Sequence, residues 1–339
     1  TASAAGGSDK VTYYTSFGYL NQKGISKPGE ENFNRYNLVQ NLSYDVSKWI
    51  NVSAKIIYNA TDQLMNPSNS TNASSFGGDL LYSSYSQWPI VPVVAPDGRY
   101  DESFGYNMVA YLKDGGYQKQ QTQDLRMSGA LKMTPAKGLN INLDYTYNKS
   151  TINYLNYQKQ YTTRDHGATL LSPWGNINAV TRSNTNNKYV AFNAYVEYEK
   201  NLGKHYLKAL AGFNQEFGGN NWFQAQRRNL INNDIPYINV ATGDQYAYDA
   251  TSEIAIRGVF SRLNYSFDNR YLIELDGRYD GSSRFPKDNR FAFFPSVSAG
   301  WRIANEAFFE PLKNIINDLK IRASYGNLGN QAVSSYYPY

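Results

Sequence analysis

The sequence predicts an all-β fold, a transmembrane antiparallel up-and-down β-barrel of which about eleven strands are present. Three observations predict it. Apolar and polar residues alternate with a period of two in segment after segment, which is typical of strands. Tyrosine and phenylalanine, which favour strands, number 31 and 16. Long and short connections also alternate along the chain.

The first three predicted strands are residues 11–19, 36–46 and 50–59. In the first, Val11, Tyr13 and Phe17 fall on one face, and small or polar residues fall on the other. The second and third repeat this pattern, with asparagine and serine between the apolar positions. Strands with one apolar face are typical of a sheet that has one surface in contact with water and the other in contact with an apolar environment.

Eight further strands are predicted after a long interruption. The segment 139–148 is the clearest, because leucine, isoleucine and tyrosine alternate with asparagine, aspartate and threonine without a break. Most of the segments approach the roughly 9–11 residues with which a tilted strand crosses a bilayer. The eight are residues 125–133, 139–148, 190–198, 205–213, 259–267, 271–279, 291–303 and 319–325.

The connections between these strands are sorted by length. Alternate connections of an up-and-down sheet lie at the same end, so all the long ones fall at one end and nearly all the tight turns at the other. An exception is 305–317, which reads as a short helix. Outer-membrane barrels show this asymmetry. The long connections are 21–34, 61–123, 151–187, 218–250 and 281–290, and the short ones are 47–49, 135–138, 201–204 and 268–269.

The strand 271–279 shows how the two faces are assigned. Tyr271, Ile273, Leu275 and Tyr279 are predicted to face the membrane, whereas Glu274, Asp276, Arg278 and Asp280 are predicted to face a wet lumen. A soluble β-sandwich also alternates. Uniform strand lengths, a charged face and aromatic residues near strand ends, such as Tyr44 and Trp49, favour lipid because aromatic girdles mark membrane interfaces.

Composition excludes several kinds of chemistry. The chain has no cysteine and two histidines, so thiolate chemistry, a disulfide framework and a multi-histidine metal site are not expected. Basic residues are scattered and the net charge is only +5, which argues against nucleic acid as a partner. No catalytic motif, metal site or cofactor site is predicted. Asp276 and Asp280 could form a carboxylate pair for glycoside hydrolysis, but a charge ladder facing the lumen is the favoured interpretation. The chain is therefore not expected to be an enzyme.

Ligand binding is expected in the long connections, where aromatic side chains collect. Aromatic rings stack on sugar rings and pack on peptide side chains. The alternative is that these rings pack the loops against each other or against a lid protein. The candidates for substrate binding are Tyr82, Tyr85, Trp88, Tyr106, Trp174, Trp222 and Phe223.

Residues 260–309 resemble the SusC/RagA family of TonB-dependent outer-membrane transporters. The most specific part is DGSSRF at 280–285 with FPSVSAGWR at 294–302. Weaker resemblance covers residues 6–25, 35–56, the proline-punctuated 89–100 and LKIRASYGNLGNQ at 319–331. The resemblance therefore runs from one end of the chain to the other.

The resemblance implies a barrel of about 22 strands with an N-terminal plug. It implies a multi-pass protein in outer-membrane lipid with long extracellular loops, energised through TonB and capped by a SusD-like lipoprotein. The imported ligands would be oligosaccharides or peptides.

Residues 1–339 are then expected to be a partial barrel domain, with the plug, TonB box, signal peptide and remaining strands absent. An odd strand number agrees, because single-chain bacterial barrels have an even number. The alternative functions are a passive porin or structural barrel, and a soluble carbohydrate-binding β-domain or outer-membrane enzyme.

Overall fold

A computed structural model describes residues 1–67, 89–90, 92–103, 107–165, 168–171 and 177–331. Within these residues, twelve strands form one antiparallel sheet whose spatial order follows the sequence, and a separate hairpin, β7–β8, is inserted after β6. The strands are β1 (Ala2–Gly7), β2 (Val11–Lys23), β3 (Asn32–Ser47), β4 (Ile50–Met65), β5 (Gly116–Ala136), β6 (Leu139–Gln158), β7 (Thr162–Asp165), β8 (Ala168–Leu171), β9 (Ala179–Leu202), β10 (His205–Arg228), β11 (Gln245–Phe267), β12 (Tyr271–Ser282), β13 (Phe291–Arg302) and β14 (Lys320–Gly326).

All eleven predicted strands are confirmed, but the sheet contains a twelfth that the pattern did not indicate, so the predicted odd number of strands is wrong. The additional strand is β1, which pairs with β2 so that Ala2 lies opposite Phe17 and Gly7 opposite Thr12. Its sequence, ASAAGG, consists of small residues. Small residues give no contrast between two faces, so period-two reasoning has nothing to detect there.

The register brings apolar side chains of every strand onto one surface, here called the apolar face. Leu263, Leu275 and Val297 are direct neighbours across β11, β12 and β13. The side chain of Leu275 is 44% exposed, although it lies in the middle of a strand within the sheet. A further row of this face consists of Val11, Tyr44, Val52, Leu131, Leu143, Ala194, Phe213, Val259 and Tyr279.

The opposite surface, here called the polar face, carries hydroxyl, amide and charged groups. Asp276 lies between Arg262 of β11 and Ser296 of β13. A row parallel to the apolar row above consists of Thr12, Ser43, Ser53, Ala130, Asp144, Asn193, Asn214, Gly258 and Asp280. The predicted separation of Tyr271, Ile273, Leu275 and Tyr279 from Glu274, Asp276, Arg278 and Asp280 follows from this register, and which face meets lipid stays a prediction.

Tight turns collect at one end of the sheet, here called the turn end. The connections there include 8–10, 48–49, 137–138, 203–204 and 268–270. In the three-residue turn 268–270, Asp268 and Asn269 both have positive φ, at 50° and 52°, the conformation of a type I′ turn, whose twist matches that of the strands. Gly138 and Gly203 take the positive φ of the two-residue turns 137–138 and 203–204.

Longer connections lie at the opposite, long-loop end. They span 24–31, 66–115, 159–178, 229–244 and 283–290. A single α-helix is present among the described residues, α1 (Met108–Asp114). No helix in the described part of the chain has the length and apolar composition needed to cross a bilayer.

The predicted bounds of the long connections are wrong, because the strands continue far past the apolar face. β9 and β10 are 24 residues each and stay paired until Ala179 faces Arg228. Much of the predicted connections 151–187 and 218–250 is therefore sheet. Both surfaces of these extensions are largely polar, so the backbone ladder continues where the contrast between faces has disappeared.

A clasp around Glu306 closes the connection 303–319 at the turn end, where the predicted short helix consists of two 3-10 turns, Ile303–Asn305 and Ala307–Leu312. The Glu306 carboxylate accepts hydrogen bonds from Trp301 Nε1 and Arg270 Nη1, both at 2.9 Å. Hydrogen bonds from Trp301, Arg270 and Tyr271 hold the pKa of Glu306 below the ordinary value of 4.5. The clasp thus joins the β11–β12 turn at Arg270 to the end of β13 at Trp301.

Leu275→Arg in the complete protein should destabilise the sheet by about 2–4 kcal/mol, because a charge on a lipid-facing position of a barrel costs that much near the bilayer midplane. Asn264→Arg is a control at nearly the same level, on the polar face opposite Glu274, and should cost much less. The measurement is denaturant unfolding in lipid. Equal losses for the two variants would contradict the assignment of the faces.

The Glu306 clasp should make stability depend on pH in the acidic range. Because the pKa of Glu306 is lowered in the folded chain, its contribution is present at neutral pH and is lost as the pH falls below about 4.5 through the folded value. Glu306→Gln should lower stability at pH 7 and flatten this acidic dependence. Glu310→Gln, which removes an exposed partner of Lys313, is the control, and identical acid profiles for both variants would contradict the role of the clasp.

Candidate functional site: the polar face and its extension

The polar face carries paired charges between β11 and β13. Arg262 Nε lies 2.5 Å from Asp276 Oδ1, and Ser296 Oγ donates to the other carboxylate oxygen at 3.2 Å. Arg278 contacts Asp280 at 2.9 Å and lies 5.3 Å from the ring centroid of Phe260. Arg322 Nη2 also lies 3.6 Å from Glu274 Oε1, so the four polar residues predicted in β12 belong to a ladder of ion pairs on one surface.

This geometry argues against hydrolysis by Asp276 and Asp280. Each carboxylate is held by an arginine. Four residues of a strand separate their Cα atoms by roughly 13 Å, beyond the roughly 5–9.5 Å between the carboxylates of glycosidases. Within the described residues, no group of three or more potential metal ligands occurs either.

Cross-strand amide pairs line other parts of the polar face. Asn37 Nδ2 donates to Asn59 at 2.6 Å, Asn214 Nδ2 donates to Asn193 at 2.7 Å, and Asn220 Nδ2 donates to Asn187 at 2.5 Å. Carboxamides both donate and accept hydrogen bonds. Such a surface suits uncharged hydroxyl or peptide groups. The alternation in the sequence predicts only that these asparagines lie on the polar side of their strands; it does not predict their partners.

Trp222 and Phe223 lie in β10, not in a loop as predicted, and they occupy opposite surfaces. Trp222 shares the polar face with Asn220 and lies between Thr185 of β9 and Ala250 of β11. Phe223 falls on the other surface and is 48% exposed. The two neighbouring aromatics are thus separated by the sheet itself.

The other five predicted substrate-binding aromatics, Tyr82, Tyr85, Trp88, Tyr106 and Trp174, lie outside the described residues. The expectation that they bind ligand stays a prediction.

The polar face of the strand extensions contains further hydrogen-bonding groups that the sequence did not single out. The Tyr154 hydroxyl donates to Gln118 Oε1 at 2.5 Å, and the Tyr189 hydroxyl donates to Glu216 at 2.9 Å. Both pairs join adjacent strands, β5 with β6 and β9 with β10, on the long-loop side of the charge ladder. The sequence indicates their face only if the alternation is continued from the clearer part of each strand, because apolar and polar residues alternate weakly in the extensions themselves.

The long connections have small cores of their own. Ala110 and Tyr111 of α1 pack with Tyr161. The helix begins at Asn107, whose side chain accepts from the backbone N–H of Ala110 at 3.0 Å and donates to the carbonyl of Val93 at 2.8 Å. A second cluster joins Tyr157, Val180, Leu230 and Ala241. These cores hold the connections against the strand extensions.

Charged groups also fix the segment before α1. Asp97 accepts from Arg99 at 2.5 Å and lies 3.8 Å from Arg164. The hydrogen bonds from Arg99 hold the pKa of Asp97 below its ordinary range. Glu102 accepts from Thr163 at 3.0 Å, which ties this segment to the β7–β8 hairpin. The long-loop end is therefore crosslinked by polar contacts as well as by apolar packing.

Residues 65–339 match the model of a family described as TonB dependent receptor-like, beta-barrel. The chain is 27% identical over 336 residues to TonB-dependent receptor P3 of Formosa agariphila, covering 98% of this chain and 33% of that protein. It is 28% identical over 357 residues to TonB-dependent receptor SusC of Bacteroides thetaiotaomicron, covering 98% and 34%.

Among solved structures, that of the RagAB peptide transporter matches with a TM-score of 0.76 and 21% identity, over 99% of this chain and 37% of that one. The unliganded ferric citrate transporter FecA shares the fold with a TM-score of 0.53 and 8% identity, over 89% and 38%. The chain thus spans about a third of the curated relatives it matches. These relatives are receptors and transporters rather than enzymes, which confirms that expectation.

Proposed function

Because this chain belongs to the TonB-dependent receptor-like β-barrel family, we propose that it forms part of the wall of an outer-membrane transporter that imports oligosaccharides or peptides. The carrying observation is the pair of surfaces made by one register, an apolar face across all twelve strands and a hydrogen-bonding polar face behind it. The apolar face meets lipid, and the polar face lines the path of the ligand.

The extension of the polar face supports a deep entrance above the membrane. From Glu216 to Arg228, β10 continues by twelve residues, or about 40 Å along the strand. Amide and hydroxyl groups repeat along this wall, and Trp222 adds a flat apolar surface. A sugar or a peptide backbone finds both kinds of contact here without a strongly charged surface that would select ions.

The proposed partners are TonB, acting through a segment outside these residues, and a SusD-like surface lipoprotein at the long-loop end. Relatives named TonB-dependent receptors and the likeness to the RagAB peptide transporter support this. Tight turns then face the periplasm and long connections face the outside, in a multi-pass arrangement. A passive porin would share the wall but would need no energy.

Trp222→Ala in the complete protein should lower ligand uptake several-fold, because the variant removes the flat apolar surface from the polar face. Phe223→Ala is the matched control, since its ring lies on the opposite surface one residue away, and uptake should stay at the wild-type level. The measurement is uptake of labelled oligosaccharide and peptide pools by cells, normalised to the amount of folded barrel. Unchanged uptake by Trp222→Ala would remove this residue from the proposed path.

The same cells separate active import from a porin. Deleting TonB or collapsing the proton gradient should abolish uptake of the pool that the wild type accumulates. Uptake that continues down a concentration gradient would favour the passive porin. Copurification of the complete protein with the adjacently encoded lipoprotein tests the proposed SusD-like partner.

A further inference from the structure

A cavity of about 700 Å³ lies at the long-loop end, on the side of the sheet that carries the apolar face. The alternation of side chains between the two surfaces of each strand identifies this side. Tyr117 shares a surface with Leu125 of β5, and Tyr157 shares one with Tyr147 of β6. The end of α1 covers part of the cavity. The cavity is therefore separated by the sheet from the polar face proposed for import.

Two buried polar atoms of residues that line this cavity have no hydrogen-bond partner. They are the hydroxyl of Tyr157, a residue only 1% exposed, and Nδ2 of Asn66, which is 3% exposed. Folded proteins satisfy nearly all buried polar groups, because leaving one unpaired carries its full desolvation cost. Two such atoms beside one cavity point to a polar ligand that completes them.

The packing of Tyr157 fixes the ring and leaves its buried hydroxyl without a protein partner. Tyr117 meets the ring edge-on at 5.5 Å between centroids, and Val180 and Leu230 pack against it. Burial, with Asp234 and Tyr117 nearby, raises the pKa of Tyr157 to about 12. The hydroxyl therefore keeps its proton at neutral pH and can donate it in a hydrogen bond.

Three lysines and two acidic residues, Glu30 and Asp234, line the same cavity, and the lysines differ in their partners. Lys119 pairs with Asp62 at 3.4 Å, and Lys159 pairs with Asp234 at 3.3 Å. Lys113, at the end of α1, forms no ion pair or hydrogen bond within the described structure. An unpaired ammonium beside two unpaired polar atoms favours a ligand with a negative group.

The position of the cavity relative to the apolar face limits what can reach it. Its rim at Lys119 lies six residues beyond Leu125, the last aliphatic residue of β5 on that surface, or about 20 Å along the strand. A strand tilted by about 45° would place the rim about 14 Å above the hydrocarbon. That height is outside the acyl chains, within reach of surface saccharides.

We propose that this outward-facing cavity binds an anionic saccharide, whose hydroxyl groups pair with Tyr157 and Asn66 and whose carboxylate or phosphate contacts Lys113. Two sources share this chemistry. One is the phosphorylated core of an outer-leaflet glycolipid, and the other is a soluble oligosaccharide of uronic acids. Binding here goes beyond import and does not depend on it.

Titration of the complete protein in detergent distinguishes the sources. Three probes are used: phosphorylated core oligosaccharide freed of lipid, oligogalacturonate, and neutral maltoheptaose. Measurable affinity for either anionic probe, exceeding that for maltoheptaose, supports the site. Preference between the first two identifies the source, and binding of neither, or of maltoheptaose equally well, overturns the proposal.

Variants locate the binding. Lys113→Ala should weaken binding by about tenfold or more, as loss of a hydrogen bond to a charged group does, and should reduce its salt dependence. Lys137→Ala, in the tight turn at the other end of the sheet, is the control. Wild-type affinity in Lys113→Ala would overturn the proposal.

Tyr157→Phe keeps the ring and removes only the hydroxyl. Binding of the anionic probe should fall several-fold, while the thermal midpoint without ligand should not fall, because the lost hydroxyl had no partner. A lower midpoint without ligand, together with unchanged affinity, would show that the hydroxyl serves the fold and would overturn its role in the cavity.

Discussion

The structure depends on one constraint, the pairing of backbone N–H and C=O groups between antiparallel neighbours. Inside a bilayer these groups have no water, so a strand is tolerated only when both neighbours satisfy it. The sheet meets this demand with nearly uninterrupted ladders from β1 to β14. Because side chains alternate, the same ladder places Leu275 and Asp276 on opposite surfaces.

The constraint also explains why so little of the sheet is buried. Many large apolar residues of the apolar face, such as Leu275 and Val297, are exposed by a third or more, which would be a liability for a sheet in water. On the polar face, neighbouring strands are joined by ion pairs such as Arg262–Asp276 and by amide pairs such as Asn193–Asn214. Buried clusters occur instead where the long connections fold back, around Tyr157 and around Tyr111.

Beyond the apolar face, the backbone hydrogen-bond ladder continues although the alternation of apolar and polar side chains ends. There both surfaces of β9 and β10 can be polar, and each acquires its own features. One surface carries Trp222 and the asparagine pairs, and the other carries Phe223 and, further along the neighbouring strands, the cavity beside Tyr157. A single extended sheet thereby presents two separate chemical surfaces at its long-loop end.

The sequence predicted the fold class, eleven of the strands, the sorting of loops and the separation of Glu274, Asp276, Arg278 and Asp280 from Tyr271, Ile273, Leu275 and Tyr279. All of these follow from local alternation, because a strand in contact with one wet and one dry surface must repeat every two residues. It did not predict β1 or the strand extensions, since Ala2–Gly7 and Ala179–Lys188 lack that contrast.

Only the tertiary structure decided which residues meet across strands. Register separates Trp222 from Phe223, and it pairs Asn187 with Asn220 across 33 positions of sequence. The cavity combines Asn66, Lys113 and Tyr157 from three distant segments. Alternation specifies a face for each residue within its own strand, but neighbours are set by the alignment of whole strands and by packing of the connections, and neither is encoded in a local pattern.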